Sequence, residues 1–166
     1  MNKVLGIQRL LVTWEIGSSV ALQFEIEAKR DGAKSIEAEH MLLALTADPD
    51  TAAAKLLEEF GLDHERLASA LREERRRTLA FAGIKSPDDK LVEATELDCS
   101  LSLGTSAKAA VRRALIGARH DRGRPRLRST DLLAGIVEAE LGTVPRALAI
   151  AGIDRAALSS RARMSA

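Results

Sequence analysis

Residues 36–45, IEAEHMLLAL, are answered 91 positions later by residues 127–136, LRSTDLLAGI. At that one offset Gly32 meets Gly123, Leu42 meets Leu133, Leu57 meets Leu148, Gly61 meets Gly152, Asp63 meets Asp154 and Leu67 meets Leu158, with no gap between them. Similar residues fill the intervals: Phe24 with Leu115, Ile36 with Leu127, Met41 with Leu132 and Leu45 with Ile136. A register held this long without insertion is the mark of a duplicated unit.

Each copy reads as four helices. In the first copy Ile16, Val20, Phe24 and Ala28 recur at i, i+4 across residues 14–31, the period of one buried helical face, and Gly32 stands where a helix stops. A second helix is expected over 39–46, ending near Asp48-Pro49-Asp50. A third covers 51–60 and stops at Gly61, and a fourth covers 64–77 with Asp63 as its N-cap. In the second copy Thr105 and Asp154 take the capping positions. The segment 78–104 holds Ser86-Pro87-Asp88-Asp89 and little periodicity, so it reads as an exposed linker. The expected organisation is an N-terminal extension at 1–13, repeat one at 14–77, the linker at 78–104 and repeat two at 105–166, both repeats making one domain.

Composition supports an all-α fold. Ala, Leu, Ile and Val supply most of the 46% hydrophobic residues, and there is no Tyr, one Trp (Trp14) and three Phe. Trp14 is expected as a core or inter-repeat plug. The single cysteine, Cys99, rules out an intramolecular disulfide and fits a reducing compartment. No apolar run reaches a membrane span, so the cytoplasm is the expected location. The net charge of +1 hides an asymmetry, because residues 105–166 hold 12 basic and 5 acidic side chains while residues 1–77 hold 11 and 14.

Several chemistries have no signature here. Gly32-Ala33-Lys34-Ser35 lacks the glycine that a P-loop places before its lysine, and no G-x-S-x-G, H-E-x-x-H or CxxC is present. His40, His64 and Cys99 are too scattered for a metal centre. The chain is expected to be no enzyme and to carry no cofactor or metal.

What remains is binding. Glu39 and His40 begin the second helix of copy one, and Thr130 and Asp131 stand at the same place in copy two, where polar groups also serve a helix N-terminus. Arg122, Arg124, Arg126 and Arg128 crowd the loop before that helix, a candidate contact for an anionic partner. Within it "RGRPR" (122–126) contains the Gly-Arg-Pro core of a minor-groove hook, which makes nucleic-acid binding through residues 119–128 an alternative.

The pattern of helix, glycine, "IEAEHMLLAL" and "TAAAKLLEEFGLD" (51–63), repeated as "LRSTDLLAGI" and "VPRALAIAGID" (144–154), resembles the N-terminal domain of the Clp/Hsp100 unfoldases, in the ClpC and ClpA branch. The resemblance implies an eight-helix domain built from two pseudo-two-fold four-helix repeats. It further implies a non-catalytic module, free-standing without an ATPase ring and similar to short proteins of high-GC bacteria, that binds a Clp unfoldase, adaptor or client as adaptor, regulator or decoy. Members that bind phosphoarginine use the glutamate of a T-E-H segment; the matching positions are Glu39 and Thr130, so one carboxylate is kept, with Asp131 a possible substitute one residue on. A surface that binds cyclic peptide antibiotics often carries an aromatic residue where this chain has Gly104, and sequestration of such peptides is a second alternative.

Overall fold

A computed structural model describes residues 18–84, 101–121 and 124–165. Trp14, Cys99 and Arg122 lie outside the described residues. Among those described are eight helices. The first copy contributes α1 (Ser18–Arg30), a two-residue β1 (Ser35–Ile36), α2 (Ala38–Ala47), α3 (Ala52–Glu59) and α4 (His64–Phe81). The second contributes β2 (Ser102–Leu103), α5 (Thr105–Gly117), β3 (Arg119–Asp121), β4 (Arg124–Arg126), α6 (Ser129–Val137), α7 (Thr143–Ile150) and α8 (Arg155–Met164). The fold is all-α, in two four-helix copies.

The glycines and aspartates of the repeat do the same work in both halves. Gly61 and Gly152 adopt φ of 68° and 71°, a region that costs other residues strain. Each turns the chain so that the next N–H reaches back into the helix, Leu62 to the Leu57 carbonyl and Ile153 to the Leu148 carbonyl, both at 2.9 Å. Asp63 then accepts from the Arg66 N–H at 2.7 Å, and Asp154 from those of Ala156 and Ala157 at 3.0 and 3.1 Å. Helix α3 thus ends and α4 begins as α7 ends and α8 begins.

The second helices form the middle of the molecule. Met41, Leu42 and Leu45 of α2 and Leu132, Leu133 and Ile136 of α6 are fully buried, and the buried apolar side chains of both copies form one continuous cluster. Each such side chain contributes roughly 1.5–3 kcal/mol by leaving water. The copies differ where α5 crosses α6. A Cβ at Gly135 would lie 2.4 Å from the Ala110 carbonyl oxygen and 2.8 Å from the Ala114 Cβ, so this pair of helices approaches closely; copy one has Ala44 at the matching position.

Three expectations need correction. Helix α4 continues through residue 81, one turn past the expected end, because residues 78–81 (TLAF) contain no breaker and Gly83 stops the helix, at φ 72°. The other end of the linker is packed onto the fold: Leu101 is buried, and Ser102–Leu103 pair in parallel with Ser35–Ile36. Thr105 does not cap α5. It is the first helical residue, and the N-cap is Gly104, which has no side chain to offer.

Candidate binding surface at the start of the second helix

The β1–β2 pair sets the start of α2 beside the start of α5. Ser35 lies opposite Ser102 and Ile36 opposite Leu103, and the Gly104 N–H donates to the Ile36 carbonyl at 2.8 Å. With no side chain at Gly104, the donors at the head of α5 are satisfied from the other copy. The Glu37 carboxylate accepts from the Ser106 N–H at 3.0 Å and from the Ser106 hydroxyl, and it also takes the Ser35 hydroxyl at 2.9 Å. Ser106 Oγ in turn accepts from the Ala38 N–H at 2.9 Å. Each helix start therefore caps the other across the repeat seam. Burial alone would raise the Glu37 carboxyl; the hydrogen bonds from Ser106 and Ser35 outweigh it and hold the group below its ordinary range.

His40 is buried and serves the backbone. Its Nδ1 accepts from the Glu37 N–H at 2.9 Å, which leaves the proton on Nε2, 3.3 Å from Asp31 Oδ2. Asp31 is held at the same time by the forked guanidinium of Arg75 from α4, with Nη1 to Oδ1 at 2.7 Å. Burial works against the ionised Asp31, yet the bonds from His40 and Arg75 prevail and lower its pKa, while Asp31 raises that of Arg75. This chain of contacts ties α1, α2 and α4 together behind the seam.

Glu39 sits between these two networks and belongs to neither. It is half-buried, its carboxylate accepts its own backbone N–H, and it lies in the field of Arg75 without a salt bridge to any described residue. Desolvation raises its pKa; its own backbone N–H and His40 oppose that rise, and the Glu37 and Asp31 carboxylates add to it. A half-buried carboxylate with no salt bridge of its own keeps capacity to accept further hydrogen bonds.

Copy two does not reproduce this chemistry. Thr130 occupies the position of Glu39 and is 1% exposed. Asp131 is equally buried, and its Oδ2 accepts from the Arg128 N–H at 2.9 Å, the bond that His40 makes in copy one. Asp131 is thus the structural counterpart of His40 and does not supply the missing carboxylate. Of the four candidate residues, only Glu39 is partly exposed; His40, Thr130 and Asp131 are buried and shape the helix starts. Ser129 Oγ accepts from the Ala53 N–H at 3.2 Å, so copy two also supports a helix start of copy one.

The arginine stretch is not a plain loop. Residues 119–121 and 124–126 pair antiparallel, with Arg119 opposite Arg126 and Asp121 opposite Arg124. Arg126 and Arg128 are exposed and both are engaged in further interactions.

Sequence reasoning missed Glu37, Asp31, Arg75 and Ser106. Only one of their relationships had a local signal: "SLSLG" (100–104) alternates with period two, the pattern of a half-buried strand, and β2 is what sets Ser106 beside Glu37. Two open hollows, of about 590 and 320 Å³, lie along the α4–α7 contact. Two arginines on their walls are already engaged: Arg146 pairs with the buried Glu74 at 2.6 Å, and Arg66 donates to the carbonyls of Gly61 and Ala151, both at 2.7 Å.

The chain's relatives share this architecture. The N-terminal domain of the caseinolytic protease-associated chaperone ClpD from Arabidopsis thaliana superposes with a TM-score of 0.60 at 19% identity, over 89% of this chain and 88% of that one. At that identity the likeness is one of fold. No curated protein matches the sequence. No described helix is long and apolar enough to cross a membrane. The sequence profile of the Clp repeat (R) N-terminal domain matches residues 23–151, well over half of the 166, and the chain belongs to that family.

Proposed function

We propose that the protein is a non-catalytic docking module that binds clients or adaptors of a Clp unfoldase-protease, acting in the cytoplasm as an adaptor, regulator or decoy. Its contact surface is the seam between the two copies around Glu39. The observation that carries the reading is this half-buried carboxylate without a salt bridge in a chain of the Clp repeat family. The neighbouring groups give Glu39 a rigid setting, since Glu37 is fixed on Ser106 and Asp31 on Arg75. A site held by bonds across two elements loses little entropy when a partner docks.

The test is a quantitative pull-down from a reducing cytosolic extract with wild type, Glu39→Ala and the double variant Arg124→Ala/Arg126→Ala. Recovery of Clp subunits or their clients, lost with Glu39→Ala and kept in the arginine variant, is the expected result. Recovery chiefly of nucleic acid, lost with the arginine pair and weakening steeply with salt, would overturn the reading.

A further inference from the structure

The same stretch of the two copies carries opposite charge. Residues 14–37 hold 3 basic and 5 acidic side chains; residues 105–128, their counterparts at the offset of 91, hold 8 basic and 1 acidic. Each stretch runs through the first helix of its copy to the N-cap of the second, so the repeat does not need the arginines in order to fold. The backbone differs as well. Helix α1 continues to Arg30, whereas α5 stops at Gly117, four residues before Asp121, the counterpart of Arg30. The residues freed in this way pair as β3 with β4.

What the stretch exposes is cationic. Lys108 and Arg112 stand exposed one turn apart on α5, a helix without an acidic residue, while Arg113 beside them donates inward to the Gly135 carbonyl at 2.7 Å. Past the hairpin, Arg126 and Arg128 are exposed on either side of the fully buried Leu127, the alternation of an extended segment that packs one face. Both have interactions within the fold, but a guanidinium has five N–H donors and keeps its charge when some are used. The register also sets Arg119 opposite Arg126, a like-charge pair that weakens a ladder, and the single acidic residue, Asp121, lies opposite Arg124. Carboxylates from outside would relieve both the repulsion and the excess, and arginine holds them through paired N–H donors.

Nucleic acid fits this surface less well. The Gly-Arg-Pro core of "RGRPR" serves a minor groove as an extended arm, and here residues 124–126 are tied to residues 119–121. Single strands are held by stacking bases on aromatic rings, and residues 105–166 contain no Phe, Tyr or Trp. With a net charge of +1, the whole chain offers a long polyanion little attraction beyond this patch. A short acidic segment matches it in size. From Lys108 to the end of α5 is about 14 Å, and an extended segment of six to eight residues spans about 20–28 Å, enough to reach from the helix to the hairpin.

We infer that the exposed face of α5 and the β3–β4 hairpin form a second docking surface, which takes an acidic, extended segment of a partner protein through Lys108, Arg112, Arg126 and Arg128. The Glu39 seam takes no part in it.

A fluorescein-labelled peptide, Gly-Glu-Glu-Asp-Glu-Glu-Gly, titrated into the full chain by anisotropy at neutral pH, tests it beside an A·T-rich DNA duplex, a DNA single strand and phosphatidylserine vesicles. The wild type is expected to bind the peptide more tightly than the other three, and about tenfold more weakly at physiological than at low salt. Arg126→Gln/Arg128→Gln and Lys108→Gln/Arg112→Gln are each expected to weaken peptide binding about tenfold, and Glu39→Gln to leave it unchanged. Lys108 and Arg112 are exposed on a helix, so the second double variant reads the surface should the first fail to fold, with circular dichroism as the check. No binding of the peptide by the wild type, tighter binding of either DNA or of the vesicles, loss of binding in Glu39→Gln, or full affinity in a folded Lys108→Gln/Arg112→Gln overturns the inference.

Discussion

The second helices of the two copies begin with one backbone geometry and two chemistries, Glu37-Ala38-Glu39-His40 in the first and Arg128-Ser129-Thr130-Asp131 in the second. In both, the fourth residue turns back to accept the N–H of the first, at 2.9 Å in each case. An imidazole and a carboxylate are interchangeable there because the backbone donor asks only for an acceptor. The third residue has no such duty, and there the copies diverge: a half-buried carboxylate in one, a buried hydroxyl without a hydrogen-bond partner in the other. Duplication preserved what the helix start needs and left the third position to diverge, so that only copy one keeps a carboxylate there.

The comparison can be broken first at the core. If α2 and α6 are equivalent members of one core, Leu42→Ala and Leu133→Ala each cost about 3 kcal/mol, and urea unfolding remains a single transition in both variants. Two separated transitions, or a loss confined to one variant, would show that the halves are stabilised independently. Gly135 is the next point of pressure. Gly135→Ala pushes a methyl into the Ala110 carbonyl and the Ala114 side chain and is expected to cost about 2 kcal/mol, whereas Ala44→Gly in copy one costs about 1 kcal/mol through helix propensity.

The carboxylates sharpen the contrast within copy one, because their pKa values move in opposite directions. Glu37 is lowered from 4.5 in the folded chain, so its stabilisation is complete above the unfolded value and disappears as pH falls through the folded one. Glu37→Gln is therefore expected to destabilise at pH 7 by about 1 kcal/mol, below the usual range for a charged hydrogen bond because the group is partly exposed, an effect that fades as pH falls through the folded pKa. Glu39 is raised, so its ionised form opposes folding at neutral pH and the penalty fades as pH falls through its folded pKa. Glu39→Gln is expected to stabilise by about 0.5 kcal/mol at pH 7 and less in acid. Thermal unfolding followed across pH 3–8 reads both signs in one series. A residue that costs stability where it stands, and whose removal ends binding, has been kept for function.

How much of this was legible follows from distance along the chain. The offset of 91, the glycines at 61 and 152 and the aspartates at 63 and 154 act within one helical turn, and their local chemistry forces the conformation seen. Glu39 was legible as a candidate through its place in a motif. Glu37 was not, since its partner Ser106 is 69 residues away and the contact exists only because β1 and β2 pair. Nor was the burial of Glu27 and Glu74, acidic residues on helices rich in charge. Each is neutralised inside the fold, Glu27 by Arg30 at 3.1 Å and Glu74 by Arg146 at 2.6 Å. The stretch "RGRPR" suggested a loop, because Gly123 and Pro125 serve as helix-stop and turn residues, yet residues 119–121 and 124–126 pair antiparallel.

The central claim is that partners dock at the seam beside Glu39. The most direct measurement is a backbone amide shift map of the labelled protein titrated with Gly-Ala-Arg-Ala-Gly. The account predicts that the shifts concentrate at residues 35–40 and 102–106 and vanish in Glu39→Gln. Shifts centred on the α4–α7 hollows at Arg66 and Arg146, or on the hairpin at 119–126, would contradict it.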